Sequence, residues 1–334
     1  MEPKTYRLAI EPLSSFLTPL DADTIFGHIA WIAAYREEEK VFQKLLNDFK
    51  ATPPFVISSG FPEGKLPVPV LGPIKTEDKK ILLEELSKKP VDLEDELKEI
   101  KRIRYISIHD FKNGLINKLS SIDMVRYLLR NRRSLIDNDN LHKEQVIMRT
   151  AINRYRGSAE EGRLFDHSEI FYDKGTKIDI WIRFFDIEYR EKVEKWFRYL
   201  ESHGYGANVS TGSGQFRINS FSEAEGQLPE SSSPNAFMTI SNFTPKRTDP
   251  IDGYYHYTIK RGKLGGHWSA VGVDGCSKAN VWKSPLVMFE PGSVFKTEGE
   301  LQRFYGRIVE NIYPAYPNII QYALAFPIGV KITG

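Results

Sequence analysis

The chain has 334 residues, of which 41% are hydrophobic and 27% are charged, and this ordinary globular composition excludes fibrous, collagenous and wholly disordered proteins. At about 150 residues per domain, the length predicts two domains. The 46 basic and 44 acidic residues nearly cancel, so any surface that binds nucleic acid must be local.

Cysteine and histidine usage argues against disulfides and metal. Cys276 is the single cysteine, and the seven histidines lack the spacing of metal ligands. No signal-peptide pattern and no apolar run of about 20 residues is evident. We therefore expect a cytoplasmic protein with no membrane partner, no structural metal and no cofactor.

The first elements in chain order are a strand and a helix. Apolar residues alternate over 6–10 and then recur at helical spacing after a cap at Asp23 or Thr24. Residues 52–74 contain too many prolines for a helix or a central strand, which indicates an extended loop. Residues 77–99, with nine acids and five lysines, predict a solvated helical excursion.

The charge then reverses in sign. Residues 101–163 contain fourteen Lys/Arg and seven Asp/Glu, a balance of about +7 that is a candidate phosphate-binding feature. Arginine suits this role because its planar fork matches phosphate, although an ordinary solvated surface is the alternative. The arginines that dominate this stretch are Arg130, Arg132, Arg133, Arg149, Arg154 and Arg156.

A compact series of elements follows. Residues 177–185 alternate as a strand, 189–203 have helical spacing, and a glycine-rich stretch leads into a strand over 215–221. The first of these strands, the helix, the glycine-rich loop and the second strand form half of a ferredoxin-like unit.

Residues 223–235 have the polar, proline-containing composition of a linker, and we place the domain boundary there. Beyond it, strands are predicted over 236–243, 253–260, 279–289 and 319–332. A helix is predicted over 298–311, where apolar residues recur at helical spacing.

The glycine-rich stretch carries the most specific signal. Gly204, Gly206, Gly212 and Gly214 surround Ser210 and Thr211, and such a loop can present several N–H donors to phosphate. It is not a P-loop, because no Lys-Ser/Thr follows the last glycine, and the helix precedes the glycines, which reverses the dinucleotide-binding order. A tight helix-to-strand turn remains the alternative.

The sequence GYGANVSTGSGQF after a helix resembles the glycine-rich signature of the repeat-associated mysterious proteins (RAMPs), the RNA-binding subunits of CRISPR effector complexes. Further segments in the same order resemble the family of the fourth Csm subunit, which holds the 5′ handle of the guide RNA in type III-A complexes. These segments are residues 18–28 (TPLDADTIFGH), 53–62 (PPFVISSGFP), 66–69 (LPVP), 149–154 (RTAINR), 162–165 (GRLF) and 321–327 (QYALAFP).

The resemblance implies an α+β fold of two ferredoxin-like, RRM-related domains with antiparallel sheets and inserted loops, over 1–225 and 236–334. It also implies a non-catalytic subunit that lies between the large polymerase-like subunit and the first backbone subunit. Bases would stack on aromatic faces, for which Tyr155, Tyr205 and Phe216 are candidates, although core packing is the alternative for each. The predicted RNA-binding residues are Arg149, Asn153, Arg154, Arg156, Gly204, Tyr205, Gly206, Ser210, Thr211, Gly212, Ser213, Gly214, Arg217, Lys246 and Arg247.

Other function classes remain as alternatives. A guide-RNA-processing endoribonuclease of the RAMP type would need His28 as a general base, yet the sequence offers no companion Tyr or Lys. His109-Asp110 lacks the further ligands of a metal phosphohydrolase, and no acid-base pair of a free-standing metabolic enzyme is evident. An exposed basic hairpin that reaches RNA or a neighbouring subunit is predicted from two basic runs, Lys246-Arg247 and Lys260-Arg261 with Lys263, and an ordinary exposed hairpin is the alternative.

Overall fold

The computed structural model describes residues 2–139, 142–153, 158–266, 268, 281–316 and 319–333, with 137–139, 142, 149–153 and 158–165 described by their backbone alone. The fold combines helices with several antiparallel sheets, as predicted for the α+β class. No helix within these ranges is long and apolar enough to cross a membrane.

The first half of the chain forms one main sheet with helices and a large insertion. Its elements are β1 (Lys4–Pro12), α1 (Ala22–Arg36), α2 (Glu39–Ala51), β2 (Phe55–Ile57), β3 (Phe61–Pro62), β4 (Lys65–Pro67), α3 (Thr76–Leu86), α4 (Pro90–Ile100), β5 (Tyr105–Ser107), α5 (Ile108–Asp110), a π-helical turn (Phe111–Leu115), α6 (Ser121–Asp139), β6 (His142–Asn153), β7 (Ser158–Tyr172), β8 (Ile178–Phe184), α7 (Tyr189–His203), a 3-10 turn (Val209–Thr211) and β9 (Phe216–Glu223).

The main sheet has the strand order β2-β8-β1-β9, with antiparallel pairing throughout. Helices α1 and α7 bury the apolar faces that their spacing predicted, including Ile29 and Trp196. Strand β1 is buried on both faces, since Leu8 and Ala9 are both inaccessible. The chain thus runs β1, α1, β2, β8, α7, β9, a β-α-β-β-α-β connectivity with a long insertion between β2 and β8.

The insertion pairs opposite charges. Helices α3 and α4 carry the acidic stretch, which is helical as predicted, and α6 carries arginines. Arg126 contacts Glu85 at 2.8 Å, and Arg132 contacts Glu96 and, at 3.1 Å, Glu99. The local cation surplus read from the sequence is therefore partly neutralised by the acidic helices beside it.

The second half is built from short strands. The strands are β10 (Ala236–Thr239), β11 (Gly253–Tyr254), β12 (Tyr257–Lys260), β13 (Leu286–Phe289), β14 (Val294–Lys296), β15 (Tyr305–Val309), β16 (Gln321–Ala325) and β17 (Pro327–Val330). Four of them form an antiparallel sheet in the order β11-β14-β10-β17, and β12–β13 and β15–β16 form two further pairs.

The helix predicted over 298–311 is wrong, because strand β15 occupies its second part. Gly306 lies in this strand with φ of 86°, and a Cβ there would lie 2.3 Å from the carbonyl oxygen of Ala323 on β16. The close approach of the neighbouring strand therefore decides the conformation, and the helical spacing of the apolar residues does not.

The two halves share one hydrophobic core across the predicted linker. Tyr322 of β16 is buried between Phe26 and Phe49 of the first half, with its ring stacked on Phe26 at 4.7 Å. At the edge of the main sheet its hydroxyl oxygen accepts a hydrogen bond of 3.0 Å from the backbone amide of Ile57. Within the linker, Leu228 is also buried.

A buried carboxylate joins the halves a second time. Asp23, at the start of α1, accepts hydrogen bonds from Asn242 at 2.6 Å, from Gln321 at 2.8 Å and from Lys260 at 2.5 Å. Burial alone would lower the pKa of Lys260, but Asp23 and Asp21 raise it above its usual value. Lys260 is therefore an internal partner, which corrects the prediction that it lies on an exposed basic hairpin.

We expect Tyr322→Phe to lower the free energy of unfolding by about 1–3 kcal/mol, because it leaves the buried amide of Ile57 without its acceptor. Tyr257→Phe, at an exposed tyrosine, is the matched control and should change it by less than about 0.5 kcal/mol. Urea denaturation measures the free energy of unfolding of both variants. Equal stability of the two variants would contradict a role for this hydrogen bond in holding the halves together.

Candidate functional site

The glycine loop, residues 204–215, folds back on itself between α7 and β9. Gly204, Gly206, Gly212 and Gly214 all have positive φ, of 89°, 85°, 93° and 72°. A Cβ on Gly214 would lie 1.8 Å from the carbonyl oxygen of Tyr205, whereas a Cβ on Gly212 would meet nothing within 4 Å. At Gly214 the absence of a side chain therefore allows the two ends of the loop to touch, which is a contact inside the protein.

Most amides of the loop bond within the protein. Tyr205 N–H donates to the Gly214 carbonyl at 2.8 Å, and Gly206 N–H donates to Nε2 of His28 at 3.1 Å. Gln215 N–H donates to the hydroxyl of Ser14 at 2.9 Å. The prediction that the loop presents several N–H donors to phosphate therefore does not hold for its four glycines, whose amides donate to Leu200, His28, Val209 and Ser15.

The outer turn of the loop, residues 208–211, is different. Within the described part of the chain, no acceptor bonds to the amides of Asn208, Val209 and Ser210, which lead into the short 3-10 turn. The side chains of Ser210 and Thr211 are exposed beside them. The hydroxyl of Thr211 donates to the carbonyl of Asn208 at 2.9 Å, so the donors left for an anionic ligand are the three backbone amides and the hydroxyl of Ser210.

A short stretch that we call the anchoring segment, residues 13–19, holds this loop in place. The carbonyl of Ser15 accepts from Gly214 N–H at 2.8 Å, and the hydroxyl of Thr18 accepts from Ala207 N–H at 3.1 Å. The carbonyl of Pro19 accepts from the hydroxyl of Tyr205 at 2.6 Å. Sequence reasoning missed this function, for which the hydroxyl residues between two prolines were the available signal.

The anchoring segment also holds the base of the β6–β7 hairpin. Phe16 and Ile170 exchange both backbone hydrogen bonds, at 2.9 and 2.8 Å, and Ser15 Oγ donates to Glu169 at 2.6 Å. The Phe16 ring lies 5.5 Å from Tyr172 and 5.9 Å from Tyr205. One segment therefore brings the glycine loop and the hairpin together.

The predicted hairpin arginines lie toward its far end. Strand β6 pairs Glu144 with Ile170 at the base, Arg149 with Phe165 further out, and Asn153 with Ser158 near the tip. At about 3.4 Å per residue, Arg149 is ~17 Å along the strand from Glu144. Arg154 and Arg156 lie outside the described residues, as does Tyr155.

Several predicted site residues are internal. Tyr205 is 1% exposed, and its ring packs against His28 at 4.7 Å, so core packing, which was the alternative for it, is the outcome. Phe216 is likewise buried. Gly204, Ser213 and Gly214 are buried as well, so the predicted loop residues that are exposed are Ser210, Thr211 and Gly212.

The other predicted basic residues do not form one cluster. Arg217 is exposed next to the loop, on β9, where it pairs with Glu11 at 2.8 Å. Lys246 lies 5.9 Å from the ring of Phe304, which packs against Phe185 at the opposite end of β8. The seven residues of β8 place Lys246 and its exposed neighbour Arg247 roughly 20 Å from the loop end of the sheet.

His28 is positioned as a structural acceptor. Burial lowers its pKa from 6.5 to about 4, so the ring is neutral near pH 7 and Nε2 accepts from Gly206 N–H. This contact uses the nitrogen lone pair that a general base would need. Elsewhere in the described ranges, no cluster of three or more His, Cys, Asp or Glu side chains could hold a metal ion.

No protein-family model matches the chain, and no curated protein is similar to it in sequence. Solved structures do share its fold. A chain of a Csm1–Csm4 cassette crystallised with cA4 has a TM-score of 0.60 and 15% identity over 98% of this chain and 99% of that one. The cassette with AMPPNP gives a TM-score of 0.59 and 16% identity over 99% of both chains.

A chain of a Csm3–Csm4 subcomplex of the type III-A CRISPR-Cas interference complex has a TM-score of 0.58 and 14% identity over 98% of this chain and 99% of that one. Csm4 is the component that the two kinds of complex have in common. The chain thus has, along almost its whole length, a fold found in these complexes, and the resemblance read from the sequence is confirmed at the level of the fold.

We expect Gly214→Ala to lower the free energy of unfolding by about 3 kcal/mol, because its Cβ collides with the Tyr205 carbonyl. Gly212→Ala is the matched control, with positive φ but open space, and should cost about 1 kcal/mol. Denaturant unfolding of both variants measures the difference. Equal losses would mean that the loop does not close through this contact.

We expect the protein to lose about 3 kcal/mol of stability as the pH falls from 6.5 toward 4, because the unfolded state binds a proton on His28 that the folded state excludes. This contribution is fully present above pH 6.5. His28→Gln keeps an acceptor without titrating, so it should remove this part of the dependence of the unfolding free energy on pH. His256→Gln, at an exposed histidine, should leave that dependence unchanged. Urea unfolding from pH 4 to 7 tests this, and an undiminished slope in His28→Gln would contradict it.

Proposed function

We propose that this protein is the Csm4-type subunit of a type III-A CRISPR effector complex. The proposal draws on the full-length fold similarity to chains of Csm1–Csm4 and Csm3–Csm4 complexes. It also draws on sequence segments of this family that occur in the same order from residue 18 to residue 327.

The architecture proposed for the chain is two ferredoxin-like, RRM-related domains, over residues 1–225 and 236–334. The β-α-β-β-α-β connectivity of the first half supports the first of them. The four-stranded antiparallel sheet of the second half supports the second. The shared core around Tyr322 makes them pack as one body.

The outer turn of the glycine loop is the proposed contact for the guide RNA backbone at its 5′ handle. The observation that carries this proposal is the joint placement of the turn and the hairpin by one anchoring segment. Free amides at Asn208, Val209 and Ser210 can cradle a phosphate, while Arg149 and Asn153 lie on the adjacent hairpin. Recognition of single-stranded RNA combines such donors with cationic groups along the same strand of RNA.

The proposed position of the subunit is between two protein neighbours. It would join the large polymerase-like subunit to the first backbone subunit and fix the register of the guide at the start of the filament. The solved complexes pair Csm4 with Csm1 in one case and with Csm3 in the other, which fits a bridging subunit.

The proposed subunit is non-catalytic. RNA cleavage needs a base for the 2′-hydroxyl and a group that stabilises the developing charge. His28 is the residue that the endoribonuclease alternative requires, and its Nε2 already accepts from the loop amide of Gly206. In this proposal His28 shapes the loop that holds the RNA.

Binding of labelled guide RNA, with its repeat-derived 5′ end, tests the outer turn. Replacing Ser210 and Thr211 together by Asp should weaken binding about tenfold, because two carboxylates repel the phosphate there. The same change at Ser232 and Ser233, exposed serines on the linker, adds equal charge and should have little effect. Fluorescence anisotropy of the chain, alone and with its Csm1- and Csm3-type partners, gives the affinities.

Equal weakening by both double variants would place the RNA contact elsewhere. The same samples, run on a denaturing gel, test the absence of catalysis. Intact RNA after incubation is the expected result, and cleavage that His28→Gln abolishes would favour the endoribonuclease.

A further inference from the structure

The ribbon formed by β12 and β13 has an unusual outer face. Its inner face is turned toward the protein, with Met288 inaccessible and Lys260 bound to Asp23. Its outer face, formed by Tyr257, Ile259 and Val287, is apolar and exposed at 61%, 65% and 51%. A solvated face of an antiparallel sheet ordinarily carries polar side chains, so this one departs from the rule.

The exposed apolar residues of the protein concentrate in this region. Seven of the fifteen large hydrophobic residues that are exposed in the described ranges belong to residues 251–259 and 282–287. Such concentration marks an interaction surface, whereas single exposed apolar residues are normal. The seven residues are Ile251, Tyr254, Tyr255, Tyr257, Ile259, Trp282 and Val287.

Strand β12 also has a backbone edge available. The backbone N–H and C=O of Phe289, on β13, both bond to the backbone of Phe243. Phe289 therefore makes no backbone hydrogen bond with Tyr257, the residue opposite it on β12. The alternation of an antiparallel ladder therefore points the N–H and C=O groups of Tyr257 and Ile259 away from β13. No strand among the described residues pairs with that edge.

The charge of the ribbon is one-sided. Residues 253–266 and 281–289 contain no Asp or Glu and four cations. Lys260 and Lys283 are bound inside the protein, Lys283 to Gln321 at 2.7 Å. Arg261 and Lys263, both exposed, remain at the end of β12, and they complement an acidic flank on a partner.

These features favour a protein over RNA. Two of the three residues of the outer face, Ile259 and Val287, are aliphatic and offer no face on which a base can stack. An edge of alternating N–H and C=O groups matches another strand, whereas its carbonyl oxygens repel phosphate. Exposed edges of this kind are normally blunted by charge or proline, and this one has neither at its centre.

We propose that β12 accepts an added strand: an extended segment of a neighbouring protein subunit, apolar at alternate positions and flanked by acidic residues. The backbone edge supplies the hydrogen bonds, the outer face supplies apolar contact, and Arg261 and Lys263 set the direction of the segment. The inference rests on the proposed function, because the neighbour is a subunit of the same effector complex.

The test is assembly of the complex with a substituted outer face. The full chain carrying Tyr257→Lys and Ile259→Lys is co-expressed with guide RNA and the Csm1- and Csm3-type subunits of the same locus. It should retain about tenfold less of one subunit, because two buried apolar contacts become charged. Ile81→Lys with Val91→Lys, on exposed positions of α3 and α4, is the matched control and should assemble normally.

Hydrogen exchange gives the second readout, on peptides that cover residues 255–262. In the wild-type complex these amides should exchange about tenfold more slowly than in the free chain, because an added strand protects the edge of β12. Guide RNA alone should leave their exchange unchanged.

Each outcome decides between the proposals. Assembly with unprotected amides and a normal Lys variant overturns the added strand and leaves the proposed function standing. Protection by RNA alone overturns it in favour of a nucleic-acid surface. Failure of the wild-type chain to join either subunit overturns the proposed function and, with it, this inference.

Discussion

The buried carboxylate of Asp23 is the interaction on which the arrangement of the two halves depends. A charge inside a protein is costly unless partners satisfy it, and those partners are held to narrow positions. Asn242, Gln321 and Lys260 come from three separate stretches of the second half. Helix α1 therefore begins at a point that the second half has fixed.

That fixed helix positions the candidate site. Helix α1 carries His28, whose ring supports Gly206, and the anchoring segment directly precedes the helix. The glycine loop, the base of the hairpin and the interface between the halves are therefore built on one continuous stretch of chain. A ligand held by the loop would be placed relative to both halves at once, which fits the role proposed above.

Periodic elements could be predicted from the sequence, because their burial repeats along the chain. Helix α7 and strand β8 follow their predicted spacing, and the glycine loop lies where the glycines indicated. The role of Gly214 could not be predicted, because the carbonyl that it approaches belongs to a folded loop. The predicted helix around Gly306 and the predicted exposure of Lys260 were wrong for the same reason. A strand distant in sequence decides the conformation at Gly306, and carboxylates distant in sequence bind Lys260. The RNA contacts stay a prediction.

The anchoring segment works largely through its main chain. Backbone groups of Ser15, Phe16 and Pro19 make four of its hydrogen bonds, and the hydroxyls of Ser14, Ser15 and Thr18 make three more. Main-chain groups are the same for almost every residue type, so this geometry places few demands on side-chain identity. A joint made largely of main-chain bonds therefore tolerates changes of side chain at most of its positions.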